Sequence, residues 1–166
     1  MRTNHNGARV GRGDPCGGLD FYNLLHEDGE FCTALGRAVL AAGRLEAAVT
    51  SHLRRHVPNA NTERAPLGKL VHYAEQQGLL TDLTPALRHL ATQRNYLAHK
   101  VYALFAGSIE ETILPRSNLI DSDVWGFTER AWLLANDLDA VAALVDKATL
   151  GLRTPPNIAM EPTARN

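Results

Sequence analysis

Cysteine is almost absent: Cys16 and Cys32 are the only two. No CxxC pair and no Cys/His ligand spacing surrounds them, which argues against a disulfide framework or a zinc site and fits a reducing compartment. A surplus of either charge is missing too. Seventeen Lys and Arg stand against 18 Asp and Glu, a net charge of −1. The chain therefore has no basic excess for gripping nucleic acid over its whole surface, and any phosphate contact has to be local. No apolar run approaches the ~18 residues of a membrane span and no signal-type stretch opens the chain, so the expectation is a cytoplasmic protein with no membrane segment. Gly-rich phosphate loops, HExxH, GxSxG and clustered carboxylates that would hold magnesium are not found either.

What is present is a helical pattern between two unlike ends. With 166 residues, 45% of them hydrophobic, the chain can bury one sizeable core. Residues 1–19 are rich in Gly, Arg and Asn with almost nothing to bury, and read as a disordered arm. Residues 153–166 carry three of the eight prolines and no periodicity, and read as an extended tail. The domain expected between them is 20–152. In it, Phe31, Leu35, Val39, Ala42, Leu45, Val49 and Leu53 recur at steps of three and four, predicting a helix over 28–57. A second helix is expected over 66–77, ending at Gly78 as a left-handed cap. A third is expected over 84–105, with Thr84 as N-cap and Pro85 following it. The last begins near Ser122, with Val124, Phe127, Ala131, Leu134, Leu138, Val141 and Val145 as its stripe. A short extra helix fits 21–25, and the 107–120 connection is long enough to hold a short extended piece. The fold expected is all-α, an antiparallel up-and-down bundle of four main helices.

Polar residues that interrupt an apolar pattern are the functional candidates. His52 and His56, four apart on one helix, could hold a metal, but no third ligand is in view, and no metal site is expected. The stretch QRNYLAHK at 93–100 is more informative, because it sets Arg94, Asn95 and His99 inside a core helix. In a regular α-helix Asn95 and His99 share a face and Arg94 lies on the adjoining flank, at the margin of a stripe formed by Leu90, Leu97, Ala98 and Val101. An imidazole exchanges protons near neutral pH, and a guanidinium is a permanent charge with forked donors that can hold a phosphate or stabilise charge building on it. Glu46 either reaches this trio from the first helix or forms a surface pair; it is placed outside the site.

RNYLAH at 94–99 resembles the Rx4-6H motif of the HEPN superfamily, all-α bundles of prokaryotic toxin and antiviral systems. The preceding LGKLVHYAEQQGLL is similar to the segment that leads into that motif, and the likeness covers about residues 28–148. The resemblance implies a HEPN-like bundle and a metal-independent endoribonuclease that needs no cofactor, since RNA supplies its own 2′-hydroxyl nucleophile. Carried over, His99 is general acid or base, Arg94 stabilises the phosphate, and Asn95 positions it. Lys100 and Tyr96 are the candidate substrate-binding residues beside them. The resemblance also implies a homodimer with two motifs lining one cleft, RNA as substrate, and an antitoxin as a protein partner. Charge points the same way: a symmetric pair gives two arginines for the phosphate and one histidine for each half of the proton transfer, and it covers Tyr96 and Tyr102, which are expected to be exposed. The other reading is a non-catalytic HEPN-like dimeric module that binds RNA, a nucleotide or a partner protein. The C-terminal ending resembles tails of reading frames carried on integron cassettes.

Overall fold

The computed structural model describes residues 18–100 and 123–151, with two short paired segments near the N-terminus at 2–3 and 9–10. The described residues form five α-helices: α1 (Gly18–Glu27), α2 (Gly29–His56), α3 (Leu67–Gln76), α4 (Thr84–Asn95) and α5 (Val124–Thr149). Strand β1 (Arg2–Thr3) pairs antiparallel with β2 (Arg9–Val10), Arg2 opposite Val10. The all-α expectation holds for the body, while the arm expected over 1–19 contains this small ladder and gives up its last two residues to α1. The rest of that arm, the 107–120 connection and the 153–166 tail lie outside the described residues.

Asp28 decides where α1 stops and α2 starts. Its carboxylate accepts from the Phe31 backbone N–H at 2.7 Å, satisfying a donor that the first turn of α2 would otherwise leave open. Helix α2 then buries Phe31, Ala38, Ala42, Leu45, Val49 and Leu53, but the stripe passes through alanines where the periodicity predicts Val39, which is 52% exposed. Small residues at these positions let α5 approach α2 closely along most of its length. Helix α5 carries its expected stripe inward, with Ala131, Leu134, Leu138 and Val145 fully buried and Val141 half-buried. Phe21 of α1 lies 5.3 Å from Phe127 between ring centres and closes one end of this core.

The two long helices run parallel, against the antiparallel order expected from the sequence. Arg37 lies over Trp132 at 4.5 Å, Arg44 meets Asp139 at 2.9 Å, and His52 meets Thr149 at 3.0 Å. Positions on the two helices therefore rise together. Such an arrangement needs the chain to travel back between the end of α2 and the start of α5. Helices α3 and α4 are antiparallel: Glu75 holds Arg88 through two contacts of 2.6 and 2.8 Å. Their connection works as the sequence predicts on one side. Gly78 takes φ +66, and the Leu79 N–H reaches the Ala74 carbonyl at 2.9 Å, a left-handed helix end. On the other side Thr84 does not cap α4; its hydroxyl donates back to the Leu80 carbonyl at 3.1 Å.

Candidate functional site

Helix α4 ends as a regular helix at Asn95 and continues through a single π-helical turn, Tyr96–Lys100. That turn assembles the site. In an α-helix, residues five apart stand about 140° apart around the axis. A π turn, bonded from each residue to the fifth before it, brings the same spacing back to one face, and such turns recur at functional sites. Arg94 and His99 meet as a result: Nη1 of Arg94 lies 3.3 Å from Nε2 of His99, and 3.2 Å from Oδ1 of Asn95. The adjoining-flank placement expected of Arg94 is thus corrected by the turn, which no regular helix pattern would show.

The contact fixes a tautomer. A guanidinium has donors and no acceptor, so Nε2 of His99 must receive, and a neutral ring then carries its proton on Nδ1. Arg94 is half-buried, and its Nε is buried with no hydrogen-bond partner among the described residues. Asn95 and His99 are exposed. The trio therefore offers a shielded cation beside an accessible imidazole.

Two expectations at the motif are overturned. Tyr96 is 3% exposed and belongs to the core, so it cannot present a face to a ligand or to a second subunit. The i+1 position after an outward Asn95 turns inward in any helix. Ala98, expected in the apolar stripe, is exposed, because the π turn rotates it outward. Lys100 is half-buried at the end of the turn. Val101 and Tyr102 lie outside the described residues.

Asn95 also lines a groove of about 320 Å³ between α3 and α4, together with Gly68, His72, Glu75, Arg88 and Thr92. Arg88, Thr92, Asn95 and His99 are spaced at four, three and four, a polar stripe readable from the sequence by the same periodicity that marks apolar faces. The sequence reasoning missed the groove because its other wall, His72 and Glu75, comes from α3. Glu46 serves neither of the roles considered for it. Its Oε1 accepts from the Leu67 backbone N–H at 3.0 Å, so it caps α3 from α2 and seats the end of α3 that faces Asn95.

His52 and His56 lie away from this groove. Their rings stack with centres 4.3 Å apart; Nδ1 of His52 contacts the Thr149 hydroxyl, and Nδ1 of His56 contacts the His52 carbonyl at 2.9 Å. His52 is buried, and burial first, then the neighbouring His56, holds its pKa below the ordinary 6.5. Among the described residues no three His, Cys, Asp or Glu side chains are grouped so as to hold a metal ion, and no helix is long and apolar enough to cross a membrane. The chain matches no family model, no curated protein and no solved structure.

Proposed function

We propose that this protein is a metal-independent endoribonuclease in which His99 moves the proton of a ribose 2′-hydroxyl and Arg94 stabilises the charge that builds on the attacked phosphate. The observation that carries the reading is the Arg94–His99 contact at 3.3 Å, made across the π turn beside Asn95, which itself lines the α3/α4 groove. A desolvated guanidinium beside a developing phosphorane acts without reorganising, which is where electrostatic stabilisation is largest. The imidazole needs to reach one hydroxyl and is exposed enough to do so. Asn95 holds Arg94 through its Oδ1 and so positions it. The groove gives room for the nucleotide beside the cleaved bond, with Thr92 and Arg88 along it and Lys100 at the end of the turn as a phosphate contact. RNA brings its own nucleophile, and with a net charge of −1 the protein suits one defined RNA better than bulk RNA. A toxin or antiviral role, with an antitoxin covering the groove, is the biological setting of this reading.

A second reading has its own observation. In the resting arrangement Nε2 of His99, one of the two ring atoms able to take a proton, is occupied by Arg94. A module that binds RNA or a nucleotide through Arg94 and Asn95 without cleaving it needs no such contact to open. Incubation of the full chain with RNA in EDTA separates the two readings. Cleavage leaving 2′,3′-cyclic phosphate ends, lost in both Arg94→Ala and His99→Ala, is the expected result. Cleavage that persists in His99→Ala, or that needs a divalent metal, overturns the enzyme reading; binding without cleavage, weakened by Arg94→Ala, establishes the module.

A further inference from the structure

Among the described residues, the large apolar side chains that stand exposed lie on α2, α5 and the residue after α5, away from the motif. Trp125 is 67% exposed, Leu40 76% and Leu133 54%, and Trp132 stands between them at 43%. They border two shallow grooves of about 540 and 350 Å³ that share Arg37, Trp132 and Asn136, forming one continuous strip along the seam between α2 and α5. No residue of α3 or α4 lines either groove, so the strip lies apart from the Asn95 groove. Exposed tryptophans a heptad apart on one helix are a cost in water that a partner surface removes.

We infer that this α2/α5 strip is the seat of a second copy of the chain, related by a two-fold axis parallel to the two helices. The charge pattern selects both the occupant and the axis. Arg37 and Arg44 come from α2, with Glu30 at its start, whereas the charged residues that α5 brings to the strip are acids, Glu129 and Asp139. A two-fold axis along the helices lays α2 of one copy over α5 of the other and keeps every residue at its own height. The heights already match within one chain, as Arg37 over Trp132 and Arg44 against Asp139 demonstrate. The same two pairs then form again between copies: each Trp132 is sandwiched by an Arg37 from either side, and each Asp139 sits between two Arg44 groups. A two-fold across the helices instead lays α2 on α2 and α5 on α5, so neither Trp132 nor Asp139 gains an arginine from the partner. Arginines and carboxylates alternate too closely for the strip to suit an anionic lipid surface, which draws basic faces.

This inference is independent of the proposed ribonuclease activity and moves the dimer away from the motif. Of the two aromatics that would motivate pairing through the motif, Tyr96 is buried and Tyr102 lies outside the described residues.

Sedimentation velocity on the full chain at tens of micromolar tests it. A dimer is expected, with Trp132→Glu raising the dissociation constant about tenfold or more while helical content stays unchanged. The decisive arm mixes two variants. Arg44→Asp alone and Asp139→Arg alone each bring like charges together and dissociate, whereas an equal mixture restores a dimer, because each chain then supplies the charge the other needs. A folding defect in either variant is not repaired by mixing. A monomer in the wild type, a dimer indifferent to Trp132→Glu, a mixture no tighter than its parts, or efficient cross-linking through Lys100→Cys each overturns the inference.

Discussion

Nη1 of Arg94 and Nε2 of His99 are 3.3 Å apart although five residues separate them, because one π-helical turn lies between. The pair consequently depends on backbone geometry as much as on side-chain identity. Arg94→Lys retains the charge but not the planar guanidinium, whose Nη1 serves Asn95 and His99 at once, so it is expected to behave as a loss-of-function variant. Activity in Arg94→Lys should fall about 100-fold or more, a loss of roughly 3 kcal/mol in the transition state, with the thermal midpoint within a few degrees of wild type. Single-turnover cleavage and a circular-dichroism melt measure the two; near-full activity in the lysine variant removes the need for a guanidinium.

Glu46→Ala deletes the cap on α3 without touching the motif. The lost acceptor for the Leu67 N–H is expected to cost about 1 kcal/mol, or about 2–4 °C in a domain of this size. Glu46→Gln keeps an acceptor oxygen and should recover most of it. Faster hydrogen exchange at the Leu67 amide in the alanine variant locates the effect; unchanged exchange there refutes the cap.

The stacked histidines make stability depend on acid. A histidine whose folded pKa lies below 6.5 disfavours the proton in the native state, so its contribution is complete above 6.5 and is lost as the pH falls through 6.5 towards the folded value. Urea midpoints are expected to drop over that window in the wild type, to drop less in His56→Ala, which removes the second cause, and to flatten in His52→Asn. A wild-type midpoint that holds steady from neutral pH to about pH 5 contradicts the prediction.

Two large side chains of α5 should respond in opposite ways. Leu138→Ala opens a cavity at a site with no exposure and is expected to cost about 3–5 kcal/mol. Trp125→Ser, two-thirds exposed, should leave the unfolding free energy within about 0.5 kcal/mol. Chemical denaturation under conditions that keep both variants monomeric compares them directly.

Much of this was written in residue spacing. The number of long helices, the cap at Gly78 and the inward stripe of α5 follow from periodicity, because burial repeats with the helix. Direction does not: an amphipathic stripe is the same read up or down, so the parallel pairing of α2 with α5 rests on contacts such as Arg44–Asp139, which no local pattern encodes. The motif itself was legible as three polar residues in a core helix. Its contact geometry was not, because a π turn leaves no compositional signature; the burial of Tyr96 was legible, since one helical step from an outward Asn95 already turns inward. The α3 wall of the groove and the cap by Glu46 were hidden for the same reason as the helix direction, since they join residues far apart in the chain.

The parallel pairing also sets an order of events during synthesis. The contacts that close the core join residues about 95 positions apart, as between Arg44 and Asp139. Contacts of such long range slow folding, because the intervening chain has to be ordered before they repay its entropy. While the ribosome is still making residues before α5, the α3/α4 hairpin can already form from local contacts, whereas the stripe of α2 has no α5 to cover it. The nascent chain thus holds an uncovered apolar stripe until α5 emerges, and α5 is the helix that covers it.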